Sequence, residues 1–396
     1  MYIRSLSIFL IVTTAAYGAG IVLMQQLTGF YNIPVHDEVH FLEAIMLFGS
    51  EISLQSLASY NETSGPLPFI LYGLWGRLFG FGAPALRFLS LLLGFSALGL
   101  VHYFLYNVIE NKKHALAAAF LFAANPYTMA LTVLIYTDMA ALAFLFAAMI
   151  AAREEKPWLY GFCMALALIS RQYFIFFPLA VGVAALLRLI VNRQWGAYKM
   201  ALASIISTFP LLLLMIVVWG GLCPENAAKI AWVDGMTGFH PRFAILYTSV
   251  TAVYVLPLLI VKAREIYQPW IVGFSLAASV LYWIFPPGAS PSGLQFGLVF
   301  TGFFHRLICL VYSAGWFYHA VMFLFFLAGA PLVLSFFRET GRSILQKKFD
   351  LIFLINLALI SFYATMPFSY LAWEKYLLPA LPLAYASILS LKGAAS

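Results

Sequence analysis

The stretch SLSIFLIVTTAAYGAGIVLMQQLTGFYNIPVHDEVHFLEA, residues 5–44, passes directly from an apolar run into a cluster of charge. Its first part, to residue 28, carries no acid or base and exceeds the roughly 20 residues a helix needs to cross a bilayer. It is too long for the apolar region of a signal peptide, and no small-residue cleavage site stands out, so it is expected to be a retained span. The second part packs His36, Asp37, Glu38, His40 and Glu43 together, although the whole 396-residue chain holds only 15 Asp and Glu. The segment after the first apolar run is therefore expected to be more than a connector.

Outward from that stretch, the composition repeats its first half. The chain is 63% hydrophobic and 9% charged, with a mean hydropathy of +0.93, whereas a soluble domain carries roughly a quarter charged residues. Runs such as HALAAAFLFAANP, residues 114–126, show no alternation of period two, which excludes an outer-membrane barrel. The expected fold is an all-α integral membrane protein, a polytopic helix bundle of about twelve transmembrane helices. The windows are 6–28, 85–107, 114–130, 138–152, 158–170, 173–191, 199–219, 243–262, 270–286, 316–337, 350–366 and 377–392. With no internal repeat in view, residues 1–396 read as a single integral membrane domain.

Charge assigns the sides. With the N-terminus inside, most of the 22 Lys and Arg fall on inner segments, as the positive-inside rule requires, and both termini are expected in the cytoplasm. The net charge of +7 is then topology and no sign of nucleic-acid binding. The acids collect outside, and so do the long loops, about 29–84, 220–242 and 287–315. Cys163, Cys223 and Cys309 give no metal spacing and no disulfide framework. Alanine-rich spans and compact loops suggest a prokaryotic plasma membrane.

Within the first outer loop, DEVHFLEAIMLFG (37–49) and PFILYGLWGRLFG (68–80) have the pattern of interfacial amphipathic helices, joined by the turn-rich SYNETSGPLP (59–68). Val39, Phe41, Leu42, Ile45, Met46 and Phe48 form the apolar side of the first, with Glu38 and Glu43 elsewhere on the wheel. Asp37 falls at the helix start, where the dipole favours a carboxylate. On spacing alone, Asp37 and Glu38 read equally as a helix cap with a first-turn acid.

A resemblance adds to this. DEVHF (37–41) is similar to the acidic first-loop motif of protein O-mannosyltransferases, members of the GT-C class of membrane glycosyltransferases. HDEVHF, SGPLPFILYGLWGRLFG, ALRFLSLL, IYTDMAALAF and ISRQYFIF, between about residues 36 and 185, resemble the dolichyl-phosphate-glucose α-1,2-glucosyltransferase family in order and approximate spacing. Further on, WEKYLLPALPLA (373–384) looks GT-C-like. The His-Pro-Pro-Leu-Gly run of the mannosyltransferases is replaced here by SGPLP, which argues against protein O-mannosylation. The resemblance implies a GT-C-like helix bundle and transfer of a sugar from a polyprenyl-phosphate donor to a glycan, lipid or protein acceptor, with inversion. It implies a first-loop general base: Asp37, with Glu38 as the reserve or as an acceptor-binding acid. His40 is either a supporting hydrogen-bond partner or an interfacial histidine.

The leaving group of such a donor is a phosphate, so outer-side cations are candidates for it. Arg171, in the apolar LALISRQYFIFF, is costly to place there unless it faces a cavity or a partner. It matches the RQ of the glucosyltransferase resemblance, and the competing reading is a structural pair with Asp138. Lys375, beside Glu374, Trp373 and Tyr376, reads as a phosphate ligand or as a snorkelling belt lysine. Arg306 follows the Gly/Pro-rich PPGASPSGLQFG (286–297) and reads as a donor contact or an interfacial anchor. Arg77 and Arg87 are expected to anchor the first loop and the second span. No motif calls for a metal or a cofactor. A transporter or flippase of a lipid-linked sugar is the alternative, as is a non-catalytic scaffold of the same fold.

Overall fold

The computed structural model describes residues 2–35, 37–229, 238–287, 302–312, 315–369 and 372–391. His36, Asp234, Lys392 and residues 288–301 lie outside the described residues, as do the side chains of Phe30, Ala228 and Lys229. Among the described residues every regular element is helical. Each of the expected windows holds helix, but the lengths differ.

Among the described residues six helices are long and apolar enough to cross a membrane: Tyr2–Thr28, Ala83–Val108, Gln172–Ile190, Trp195–Val218, Gly315–Leu345 and Leu351–Phe368. The pair Lys112–Ala123 and Pro126–Val133 makes up to a seventh, bent by 64°. Its break has a local cause. Pro126 lacks the N–H that would continue the ladder. The Asn125 side chain accepts from the Tyr127 N–H and so starts the second half. The Ala123 carbonyl freed by the break accepts from the Tyr17 hydroxyl at 2.6 Å, which meets the requirement that backbone groups away from water be satisfied within the protein. The other windows hold shorter helices, among them Pro157–Leu168, Pro269–Ile284 and Leu381–Ser390.

The chain divides into two compact units, residues 1–178 with 199–230 and residues 179–198 with 231–396. In the first unit both expected first-loop helices form, as Glu38–Ser50 and Leu67–Phe79, and they pack on each other. Their crossing is close: a Cβ on Gly73 would lie 2.7 Å from the Gly49 nitrogen, so only glycine fits. Around the crossing, Phe41, Ile45, Phe48, Tyr60, Phe69, Tyr72 and Trp219 form one buried cluster. Truncating one of these phenylalanines to alanine would cost about 3–5 kcal/mol. The Arg77 guanidinium donates to the Gly49 carbonyl at the end of the first helix, and Trp75 Nε1 donates to the Ala85 carbonyl at 2.9 Å, tying the loop to the next long helix.

In the second unit the Pro241–Tyr254 helix packs on Gly315–Leu345 and turns a row of hydroxyls toward the C-terminal segments. Tyr247 donates to the Trp373 carbonyl at 3.2 Å, Thr251 and Tyr363 share a hydrogen bond of 2.8 Å, and Tyr254 donates to Glu374 at 2.9 Å. These residues are spaced three or four apart, on one face of the helix. All three cysteines are free.

Candidate active site

The first helix of the first loop starts at Glu38, with Asp37 in the capping position. Two adjacent acids at a helix start look interchangeable in sequence, yet here they have opposite fates. Glu38 is wholly buried, on the face that also buries Phe41, Ile45 and Phe48, whereas Val39 and Met46, expected on that face, are more than half exposed. Glu38 Oε1 accepts from Arg87 Nε at 2.9 Å and from the Ile135 N–H at 2.7 Å. Its Oε2 accepts from Arg87 Nη2 and from the Val35 N–H, the latter at 2.7 Å. Arg87, equally buried, also donates to the Ile33 carbonyl at 3.0 Å and lies against the Tyr31 ring. This bidentate pair has both oxygens of the acid engaged. Glu38 thus joins the loop, the second long helix and residue 135.

Asp37, in contrast, is exposed, and its side chain makes no capping hydrogen bond to the helix it precedes. It accepts instead from the Tyr136 hydroxyl, Oδ2 to Oη 3.0 Å. Burial, and after it the Asp37 carboxylate, raises the Tyr136 phenol above its ordinary range, so the hydroxyl stays protonated and donates. His40 is exposed on the same helix.

Residues 134–137 form a short non-helical link between the Pro126–Val133 and Asp138–Arg153 helices. This link collects the site of the first unit. The Ile135 N–H holds Glu38, the Tyr136 hydroxyl holds Asp37, and Asp138, at the start of the next helix, pairs with Arg171 at 2.5 Å. Asp138 and Arg171 are both buried. The other oxygen of Asp138, Oδ1, and the Thr137 hydroxyl oxygen are buried with no hydrogen-bond partner among the described residues.

Arg171 itself is placed by the first loop. Gln172 donates to the Thr63 carbonyl at 2.9 Å, and the Gly65 N–H donates to the Ser170 carbonyl at 3.2 Å. A Cβ on Gly65 would lie 2.0 Å from the Ile169 carbonyl oxygen, so the SGPLP turn approaches the Ile169–Arg171 backbone as closely as it does because residue 65 is glycine. The structure therefore brings Asp37, Glu38, Asp138 and Arg171 into one bonded framework, with Arg87, Ile135, Tyr136 and Gly65 as members that sequence reasoning did not assign to the site.

The other sequence candidates belong to the second unit. Glu374 is buried and accepts from the backbone N–H groups of Phe304 and His305, at 3.0 and 2.9 Å, as well as from Tyr254. It thereby holds the N-terminus of the Phe303–Val311 helix, whose dipole suits an anion there. Arg306 is exposed on the first turn of that helix. Lys375 is half-buried, with its ammonium 5.9 Å from the centre of the Trp373 ring, and Tyr376 is buried. His305 is buried with its ring 4.2 Å from that of Tyr318. Among the described residues no group of three or more His, Cys, Asp or Glu could hold a metal ion.

Comparison with protein families agrees with the motif resemblance. Residues 79–217 match the model of the DIE2/ALG10 family, the dolichyl-phosphate glucosyltransferases whose motifs residues 36–185 resemble. The matched stretch, less than half of the chain, includes Arg87, the 134–137 link, Asp138 and Arg171 and begins after Asp37 and Glu38. No curated protein matches the chain. Two solved structures of ArnT from Cupriavidus metallidurans are similar to it. The apo structure has 13% identity and a TM-score of 0.37, over 95% of this chain and 77% of that one. The structure bound to undecaprenyl phosphate has 15% identity and a TM-score of 0.39, over 96% and 76%.

Proposed function

We propose that this protein is a membrane glycosyltransferase of the GT-C type, which moves a sugar from a polyprenyl-phosphate donor to an acceptor hydroxyl at the outer face. The observation that carries the reading is the segment 134–138. It lies inside the stretch that matches the glucosyltransferase family model, and it holds both the exposed first-loop acid and the buried arginine.

Asp37 is the general base of this reaction. An acceptor hydroxyl is a poor nucleophile, and a positioned carboxylate takes its proton as the oxygen bonds to the anomeric carbon. The bond from that carbon to the phosphate oxygen breaks, its electron pair leaves with the polyprenyl phosphate, and one displacement inverts the centre. Glu38, with both oxygens already bonded, holds the helix start rather than exchanging protons. Arg171 meets the charge that develops on the leaving phosphate. A guanidinium has five N–H donors, so its pairing with Asp138 is compatible with a phosphate contact. Lys375 and Arg306 are proposed for the same charge on their chemistry and sequence position alone.

The test is transfer by purified protein in lipid, with a panel of labelled polyprenyl-phosphate sugars and a panel of acceptors, wild type beside Asp37→Asn. Release of polyprenyl phosphate by wild type, reduced about 10²–10⁴-fold in Asp37→Asn at equal protein level, is expected. Full activity in Asp37→Asn would remove the base assignment. One observation favours the second reading, a lipid-linked-sugar transporter: the span broken at residues 124–125, since broken helices recur in transporters. Movement of a labelled donor across the bilayer without turnover would establish that reading instead.

A further inference from the structure

We propose that Tyr136 is a positioning residue for Asp37, its hydroxyl holding the carboxylate in the orientation in which it meets the acceptor. The inference rests on the reading of Asp37 as the base. It starts from what the helix fails to do: Asp37 occupies the capping position, yet its side chain makes no capping bond, and the residue is exposed. The helix start thus gives this carboxylate no capping hold, and a base must be held to act at a fixed point. The Tyr136 hydroxyl, 3.0 Å from Oδ2, supplies that hold.

Tyr136 is in turn fixed from three sides. The Phe41 ring meets its ring edge-on at 5.3 Å between centres. Its carbonyl accepts from the Tyr72 hydroxyl at 3.3 Å. The N–H of its neighbour Ile135 is bound by Glu38, which Arg87 holds. A rigid relay therefore runs from the buried Arg87–Glu38 pair through residue 135 to the phenol and on to Asp37. The charged groups around it are that pair and Asp138 with Arg171, while His40 is exposed on the helix that Asp37 precedes. Burial and the nearby acids keep the phenol protonated, so it remains a donor wherever Asp37 is ionised.

The experiment measures kcat, KM and the pH profile of kcat/KM for wild type, Asp37→Asn, Tyr136→Phe and protein with 2,3-difluorotyrosine incorporated at position 136. Removing a hydrogen bond to the ionised form of a base raises its pKa, and a more acidic phenol lowers it. Tyr136→Phe is expected to move the acid limb up by about one pH unit and lower kcat about tenfold, with acceptor KM changed less than about twofold. Difluorotyrosine keeps the shape, so it serves also if Tyr136→Phe does not fold, and it is expected to move the limb down. Acid limbs coinciding with wild type in every folded variant at 136 would overturn the proposal while leaving an inactive Asp37→Asn, and so the base, intact. Full transfer by Asp37→Asn would instead remove the base reading and this inference with it.

Discussion

Glu38 and Glu374 are both buried carboxylates that cross-link segments far apart in sequence, and they are held by different means. Glu38 has a cation, Arg87, on both oxygens, and two backbone N–H groups besides. Glu374 takes two N–H groups at the start of the Phe303–Val311 helix and a tyrosine hydroxyl. Among the contacts described above, a full opposite charge meets Glu38 and oriented dipoles meet Glu374. In each the anchoring acid has a more exposed candidate next to it, Asp37 before Glu38 and Lys375 after Glu374. The buried member fixes the backbone on which its more exposed neighbour sits.

The comparison predicts a large asymmetry on disturbing each anchor, by loss of the cation at Glu38 and by loss of the carboxylate at Glu374. Arg87→Met leaves Glu38 buried without its cation, and about 3–5 kcal/mol of stability is expected to be lost. Thermal unfolding in detergent, together with the yield of folded protein, measures this. Glu38→Gln in the Arg87→Met background should recover part of the loss, because the neutral amide oxygen can still accept a backbone N–H. A double variant no more stable than Arg87→Met would mean that the charge is not what matters there.

That asymmetry bears on how much was legible in the sequence. The apolar windows located the helices because bilayer thickness and hydropathy act residue by residue. The first-loop helices were legible from their periodicity, and the Glu38–Ser50 and Leu67–Phe79 helices lie where they were expected. The break at Asn125–Pro126 was not read, although Asn-Pro is a local signal for it. The wheel misplaced Val39 and Met46, which are exposed, and Glu38, set off the apolar side when it lies on the buried one; a buried acid looks surface-bound until its partner is known. Arg87 is 49 positions away, and Tyr136 is 99 positions from Asp37, distances across which no periodicity speaks. The same holds for the SGPLP turn and Arg171, which the chain joins only through the fold. The motifs IYTD and SRQ were visible as words, and what tied them to the first loop was not.

On the other side of the comparison, Glu374→Gln keeps an acceptor oxygen but puts an amide N–H where a carboxylate oxygen met a donor. One unsatisfied or reoriented contact costs about 1–3 kcal/mol, less than the cation loss at Arg87. Because the contact lies at the start of the Phe303–Val311 helix, the expected first sign is faster proteolysis around residues 302–312, ahead of global unfolding. A destabilisation equal to that of Arg87→Met would end the distinction between the two anchors.

A pH-dependent effect belongs to the histidine that Glu374 holds by its backbone. Burial, with a lesser contribution from His319, lowers the His305 ring to about 4, while in an unfolded chain it titrates near 6.5. Between those values the unfolded chain binds a proton that the folded one does not. Stability therefore rises with pH through the window, is fully present above about 6.5, and is lost as pH falls toward 4. Melting temperatures measured from pH 7.5 down to 4.5 should show this slope, and His305→Gln should flatten it, since the amide does not titrate there. Other acids will add their own slopes at the low end, so the difference between wild type and His305→Gln is the quantity to read. If that difference is constant with pH, protonation of this ring does not loosen the Glu374 anchor, and the second unit's anchor is as indifferent to mild acid as a simple dipole contact would be.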